Sequence, residues 1–280
     1  MKKFFLLIVA ALFATHVNGQ QAFAFRGYDF SAVCSSGQKL NYIITGSDEV
    51  KVCRQSREIA WNPEDRPKGN LVIPESVINN GKTYYVTGID YWAFGGCDGL
   101  TSVIIPKTIV EIGETAFMNC NGLTSVTINC DNDVKLYEAD LYFTKNNIRY
   151  MVKSKKEVEV SYLLNEKKYL GNITIPAKVT AGSTFSVTSI GYRAFDGCRD
   201  LKSITIPNSV TEINQKAFYM CSGLTSVTIP LSVKAIGEES FRGCHDCIIY
   251  CQSKTKPSGW HSKWNPSECV VKWGATYKFQ

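Results

Sequence analysis

At 280 residues, with 31 Lys and Arg against 25 Asp and Glu, the chain has a formal net charge of +6 and is 44% hydrophobic. An excess that small, interspersed rather than clustered, excludes the basic face that nucleic acid recognition needs. No stretch supplies the run of about 20 apolar residues that a transmembrane helix requires.

Residues 1–19 open on Lys2 and Lys3, run through F-F-L-L-I-V-A-A-L-F-A and end on Val17-Asn18-Gly19, the layout of a signal peptide cut before Gln20. The mature chain is therefore expected to be exported, to the extracellular space, the cell surface or the periplasm. No cysteine lies near the cut, so a lipid anchor is not indicated. Residues 20–68 read as an N-terminal cap built on a β-hairpin, since L-N-Y-I-I-T-G and E-V-K-V-C alternate on either side of Ser47-Asp48.

From residue 69 a phrase repeats. Phe94, Cys97, Leu100, Val103 and Ile105 return 23 residues later as Phe117, Cys120, Leu123, Val126 and Ile128. Further on, Ala194-Phe195, Cys198, Leu201, Ile204 and Ile206-Pro207 return as Ala217-Phe218, Cys221, Leu224, Val227 and Ile229-Pro230, and another copy starts at Phe241 and Cys244. A fixed period in this range means a solenoid. In L-x-x-V-x-I the period-2 alternation makes a short half-buried strand, which the proline then ends because it cannot donate to a ladder. One such coil cannot bury its Phe, Ile and Leu alone, so neighbours must stack and align them in columns.

The first repeat block spans 69–131 and the second 171–251, with an inserted β-hairpin segment at 132–170 and a C-terminal cap at 252–280 rich in Trp, Pro and Gly. The chain is doubled: I-R-Y-M-V-K-S-K-K-E-V-E-V-S at 148–161 copies L-N-Y-I-I-T-G-S-D-E-V-K-V-C at 40–53, and G-N-I-T-I-P at 171 copies G-N-L-V-I-P at 69. The basic run Lys153, Lys155 and Lys156 falls at the turn of the second hairpin and reads as a solvated tip. The insertions N-N-G-K-T-Y-Y and A-G-S-T-F-S read as surface excursions.

The unit I-G-x-x-A-F-x-x-C-x-x-L-x-x-V-x-I-P resembles that of the BspA-like leucine-rich-repeat proteins of bacterial surfaces, over residues 69–130 and 171–251, and P-S-G-W-H-S-K-W-N-P-S-E-C-V-V-K-W-G looks like the end cap of that family. The resemblance implies a leucine-rich-repeat solenoid of stacked 23-residue coils with a parallel concave β-sheet, used for adhesion and binding rather than catalysis. The expected partner is an extracellular or surface protein, a host matrix protein among them.

Five of the eleven cysteines, Cys97, Cys120, Cys198, Cys221 and Cys244, hold one repeat position and are expected as buried thiols serving as small apolar residues. Cys34 and Cys53 flank the first hairpin and are lost together from the second, which suggests a Cys34–Cys53 disulfide. Cys251 and Cys269 beside the cap suggest another, whereas Cys130 and Cys247 have no assigned partner. The spacing Cys244-His245-Asp246-Cys247 has no second pair to complete four ligands, so no metal is expected. His245 and His261 belong to no catalytic motif, and no cofactor is indicated.

Binding has a clearer basis. The residues facing out of the strand ladder are Ser102, Ile104, Ser125, Thr127, Thr174, Ser203, Thr205, Ser226 and Thr228, polar enough to hydrogen-bond an extended partner, although Ser and Thr are also ordinary strand residues. Trp92 stands where other units have Thr115, Arg193, Lys216 and Glu239, so it is expected to be exposed beside Tyr91 or packed under the first excursion. Tyr91, Trp92, Trp260 and Trp264 give the alternative reading, stacking platforms for a glycan.

Overall fold

The computed structural model describes residues 27–130, 134–163 and 167–276, so the expected signal peptide lies outside the described residues. In the first half β1 (Phe30–Val33), β2 (Lys39–Ile44) and β3 (Glu49–Cys53) form an antiparallel meander. The coils follow as β4 (Gly69–Val72), β5 (Ser76–Asn79), β6 (Lys82–Ile89), β7 (Leu100–Ile105), β8 (Glu111–Ile112), β9 (Ser125–Ile128) and β10 (Lys135–Leu136). The second half repeats the plan: β11 (Tyr142–Lys145), β12 (Ile148–Val152) and β13 (Glu157–Ser161) are its meander. Its coils hold β14 (Gly171–Thr174), β15 (Lys178–Ala181), β16 (Ser183–Ile190), β17 (Leu201–Thr205), β18 (Glu212–Ile213), β19 (Ser226–Ile229), β20 (Ala235–Ile236), β21 (Ile248–Cys251) and β22 (Val270–Trp273). No helix among the described residues is long and apolar enough to cross a membrane.

Each coil contributes one strand to each of two walls. One wall carries the order β1-β2-β3-β6-β8-β10 and its twin β11-β12-β13-β16-β18-β20; the other carries β4-β7-β9 and β14-β17-β19-β21-β22. The L-x-x-V-x-I strands are parallel and in the register that a 23-residue repeat demands, with Ser102 opposite Ser125 and Ile204 opposite Val227. They do not form one sheet, as simple stacking would give. The second excursion is the reason: its tip, Gly182, turns back and pairs with Val126 on the outer edge of β9. The N–H of Ile128 donates to Ser183 Oγ at 2.9 Å. That tip is a plug between two sheets rather than a free excursion.

Between the walls the apolar columns run as expected. Phe94, Phe117, Phe195, Phe218 and Phe241 are at most 1% exposed. Phe94 stacks on Phe117 at 5.1 Å, Phe195 on Phe218 at 5.2 Å, and Phe218 on Phe241 at 5.0 Å. The column ends on Trp264, which meets Phe241 edge-on at 5.6 Å and is itself buried with Trp260 in the cap. Two platforms of the glycan reading are thereby removed from the surface.

All eleven cysteines are buried thiols, and neither expected disulfide is formed. Asn41 lies opposite both Ser31 and Cys53, so Cys53 shares their face of the meander. Cys34, three positions beyond Ser31, falls to the other face and joins the solenoid core, to which Cys53 does not belong. In the cap, Cys251 lies opposite Trp273, while Cys269 continues the repeat column: its thiol donates to the Cys244 carbonyl at 2.9 Å. Cys120, Cys221 and Cys244 likewise donate to the carbonyls of Phe94, Phe195 and Phe218 at 3.1, 2.9 and 3.0 Å. A small side chain with a weak donor is what this corner accommodates.

The A-F-x-x-C corner has a property that polarity alone conceals. Trp92, Thr115, Arg193, Lys216 and Glu239 all have left-handed backbone, with φ between 50° and 59°. So do Gly96, Asn119, Gly197, Met220 and Gly243, four residues further along each coil. A non-glycine residue there costs on the order of 1–2 kcal/mol. The cost is offset by the ladder between coils, in which the N–H groups of Thr115 and Lys216 donate to Glu138 and Glu238 at 2.8 and 3.0 Å. Thr115 is the most strained, being β-branched, and its buried hydroxyl has no hydrogen-bond partner. Thr115→Gly is therefore expected to raise stability by about 1 kcal/mol, read as a higher thermal midpoint; an unchanged or lower midpoint would contradict the strain.

Candidate functional site

The outward face of the β14-β17-β19-β21-β22 sheet is two rows deep. Asn172, Ser203, Ser226, Ile248 and Val270 face one another across the five strands, as do Thr174, Thr205, Thr228, Tyr250 and Lys272. At about 4.8 Å per strand the face is roughly 20 Å long. Period-2 alternation puts these side chains outside because Ile204, Val227 and Ile249 must go inside, where each is at most 3% exposed. Ser203 Oγ donates to Asn172 Oδ1 at 2.9 Å, and the Lys272 ammonium lies 5.3 Å from the Tyr250 ring centre. Beside the second row, Thr205, Asn208, Thr228, Pro230 and Gln252 line a shallow depression of about 60 Å³.

Thr174, Ser203, Thr205, Ser226 and Thr228 thus share one face. Ser102, Ile104, Ser125 and Thr127 lie on the separate β4-β7-β9 sheet, where Ser102 Oγ donates to Asn70 Oδ1 at 2.9 Å. Gly182 abuts two of them: a Cβ there would fall 2.3 Å from Thr127 Oγ1 and 2.8 Å from Ser125 Oγ. Ile248, Tyr250, Val270 and Lys272 were missed in the sequence because C-I-I-Y-C and E-C-V-V-K-W lack the Ser/Thr signature. The spacing from Ser226 and Thr228 to Ile248 and Tyr250, 22 residues, carried the signal.

Tyr91 and Trp92 do not act as a pair of exposed rings. Tyr91 is 46% exposed, whereas Trp92 is half-buried. The indole lies over Gly95, where a Cβ would fall 1.9 Å from Trp92 Nε1, and every other unit has a side chain at that position. The Arg54 guanidinium sits 5.1 Å from the Tyr91 ring centre and 5.9 Å from that of Trp92. Trp92 therefore packs over its own coil at Gly95, with Arg54 beside it.

The profile of the BspA type leucine rich repeat region matches residues 75–185 and 182–256, in six copies. The chain belongs to the BspA-type leucine-rich-repeat family. Members of such repeat families bind proteins in general, and the family is typically non-catalytic. No curated protein matches the chain. Among solved structures, it is similar to a leucine-rich repeat protein from Bacteroides ovatus, with 23% identity over 89% of this chain and 72% of that one and a TM-score of 0.40. It is also similar to the T. pallidum leucine rich repeat protein, with 21% identity over 75% and 68% and a TM-score of 0.24. A leucine rich cell surface protein from Faecalibacterium prausnitzii gives 17% identity over 89% and 99%, with a TM-score of 0.24. At such identities the likeness concerns the fold.

Proposed function

We propose that this BspA-type protein is a secreted or surface-associated, non-catalytic binding protein that takes an extended protein segment across the outward face of its five-stranded sheet. The observation that supports this most is the face itself: two in-register rows that are mostly short and polar over β14, β17 and β19, one then running into Ile248 and Val270 and the other into Tyr250 and Lys272, beside the depression lined by Thr205 and Thr228. The inner strands spend their backbone groups on one another, so the Ser and Thr hydroxyls are what can donate to and accept from an extended partner, and Tyr250 and Lys272 add an amphipathic contact. Export rests on the Lys2–Gly19 pattern, and a surface setting is also that of the Faecalibacterium protein. A glycan partner is less favoured, because of its four aromatic platforms only Tyr91 stands more than a third exposed.

The discriminating experiment screens purified protein against extracellular-matrix proteins and a glycan array in parallel, then repeats the screen with Thr205→Lys/Thr228→Lys. For a matrix protein, affinity is expected to fall at least about tenfold, as bulky cations in the middle of a complementary face should make it fall, with the melting temperature unchanged. Equal binding by the variant would remove the face from the site, and a response on the glycan array alone would replace the protein reading.

A further inference from the structure

The doubling of the chain allows one surface to be compared in two states. Phe30, Tyr42 and Tyr84 in the first half match Phe143, Tyr150 and Phe185 in the second: the first pair of rings is 5.4 Å apart in both halves, and the second contact, from Phe30 or Phe143, is 5.7 Å in both. In the second half this end is covered by the last coil of the first. The N–H of Thr144 on β11 donates to Leu123 just before β9, and the β15–β16 tip pairs with β9 through Gly182 and Ser183. Leu141, Phe143, Val152 and Ala181 are consequently at most 6% exposed.

At the matching positions of the first half, Tyr28 is 41% and Ile44 40% exposed, and Phe30 and Asn79 are half-buried. Ser31, the counterpart of Thr144, sits opposite Asn41 between the hydrogen-bonded pairs of the ladder, so its N–H points off the open side of β1. Among the described residues this end is a copy of a socket whose twin is filled.

We propose that the open socket accepts the terminal strand of a second copy of this chain, β22 taking the place that β9 takes within the chain. β22 is the last strand of its wall, as β9 is of the shorter one, and Val271 continues the inward row of Val227 and Ile249 as Val126 continues that of Val103. Its Val270 is 59% and Trp273 38% exposed. The segments concerned are complementary in charge: 28–33, 39–49 and 78–84, which form the socket end, carry Asp29, Asp48 and Glu49 against Lys39 and Lys82, while the cap over 252–276 carries Lys254, Lys256, Lys263 and Lys272 against Glu268. The contact joins unlike surfaces head to tail, so each added copy leaves a socket and a strand for the next.

Sedimentation velocity of the purified protein across a wide concentration series tests this. The mass should climb through dimer to longer rows and fall back as salt is raised. Tyr28→Lys/Ile44→Lys blocks the socket and Val270→Asp blocks the strand; all three positions are exposed, and circular dichroism should show both variants folded. Each variant alone should remain monomeric, and an equal mixture should form a dimer and stop there, because each species keeps one working end. A wild-type monomer at every concentration overturns the proposal, leaving the socket to another cover such as the residues before Gly27. Variants that assemble as the wild type does also overturn it, since association would then use another surface.

Discussion

Phe218→Ala is expected to cost about 3–5 kcal/mol, the range for a fully buried aromatic cut to a methyl group. The ring is 0% exposed and stacked on both faces, at 5.2 Å and 9° to Phe195 and at 5.0 Å and 20° to Phe241. Truncation therefore leaves a void between two coils that cannot close without shortening the stack, whose spacing the strand ladders hold. Against a typical domain stability of about 5–15 kcal/mol the loss is large. It is read as a shift in the urea midpoint; a midpoint within error of wild type would mean that the Phe column does not hold the coils together.

Alkaline destabilisation is the second large effect. Burial pushes the Cys97 thiol up to about 12, opposed by the nearby Arg66. Burial pushes Tyr150 to about 12 as well, and it raises Cys120 and Cys247. The unfolded chain releases the thiol proton at its ordinary value near 9, whereas the folded chain holds it until about 12. The unfolded state then binds fewer protons, so stability is untouched below about pH 9 and falls as pH rises, by about 1.4 kcal/mol per unit for each such group. Cys97 alone accounts for about 4 kcal/mol across that window. Urea midpoints taken from about pH 8 to about pH 11 should fall steeply, and the slope should ease by about one proton in Cys97→Ala. A flat profile would mean that the thiols reach solvent.

What the sequence disclosed follows from what repetition can carry. A column position such as Phe218 or Cys221 must be apolar in every coil, so comparing units exposes it, and the strand register follows from the period. A position constrained in its backbone leaves a different trace. Lys216 and Glu239 share φ near +57° with Trp92 yet nothing in side-chain chemistry, and the variety that reads as exposure reflects a torsion instead. Contacts made once per chain were hidden for the same reason. Nothing in A-G-S-T-F-S signals that Gly182 meets Val126, 56 residues earlier, because the matching N-N-G-K-T-Y-Y has no such neighbour in the described chain. Strand parity separates Cys34 from Cys53: their joint loss from the second hairpin carries no information on which face of the meander each occupies, and they occupy opposite ones. The candidate face was legible where its residues were Ser and Thr, and illegible at Tyr250 and Lys272, where the cap abandons the repeat's composition but keeps its register.

The plug at Gly182 also governs how the molecule comes apart. In a stack where each coil touches only its neighbours, cooperativity is passed from interface to interface, and the weakest one decides whether the chain melts as a unit or in sections. Between the halves the shared strand ladder is interrupted, and the coupling on the β9 side passes through the Val126–Gly182 bridge, the Ser183 hydroxyl and the Thr144 amide. A left-handed glycine at φ +83°, with no room for a methyl group, is thus one joint on that side through which one half senses whether the other is folded. The duplication that lengthened the array set its thermodynamic seam at that residue.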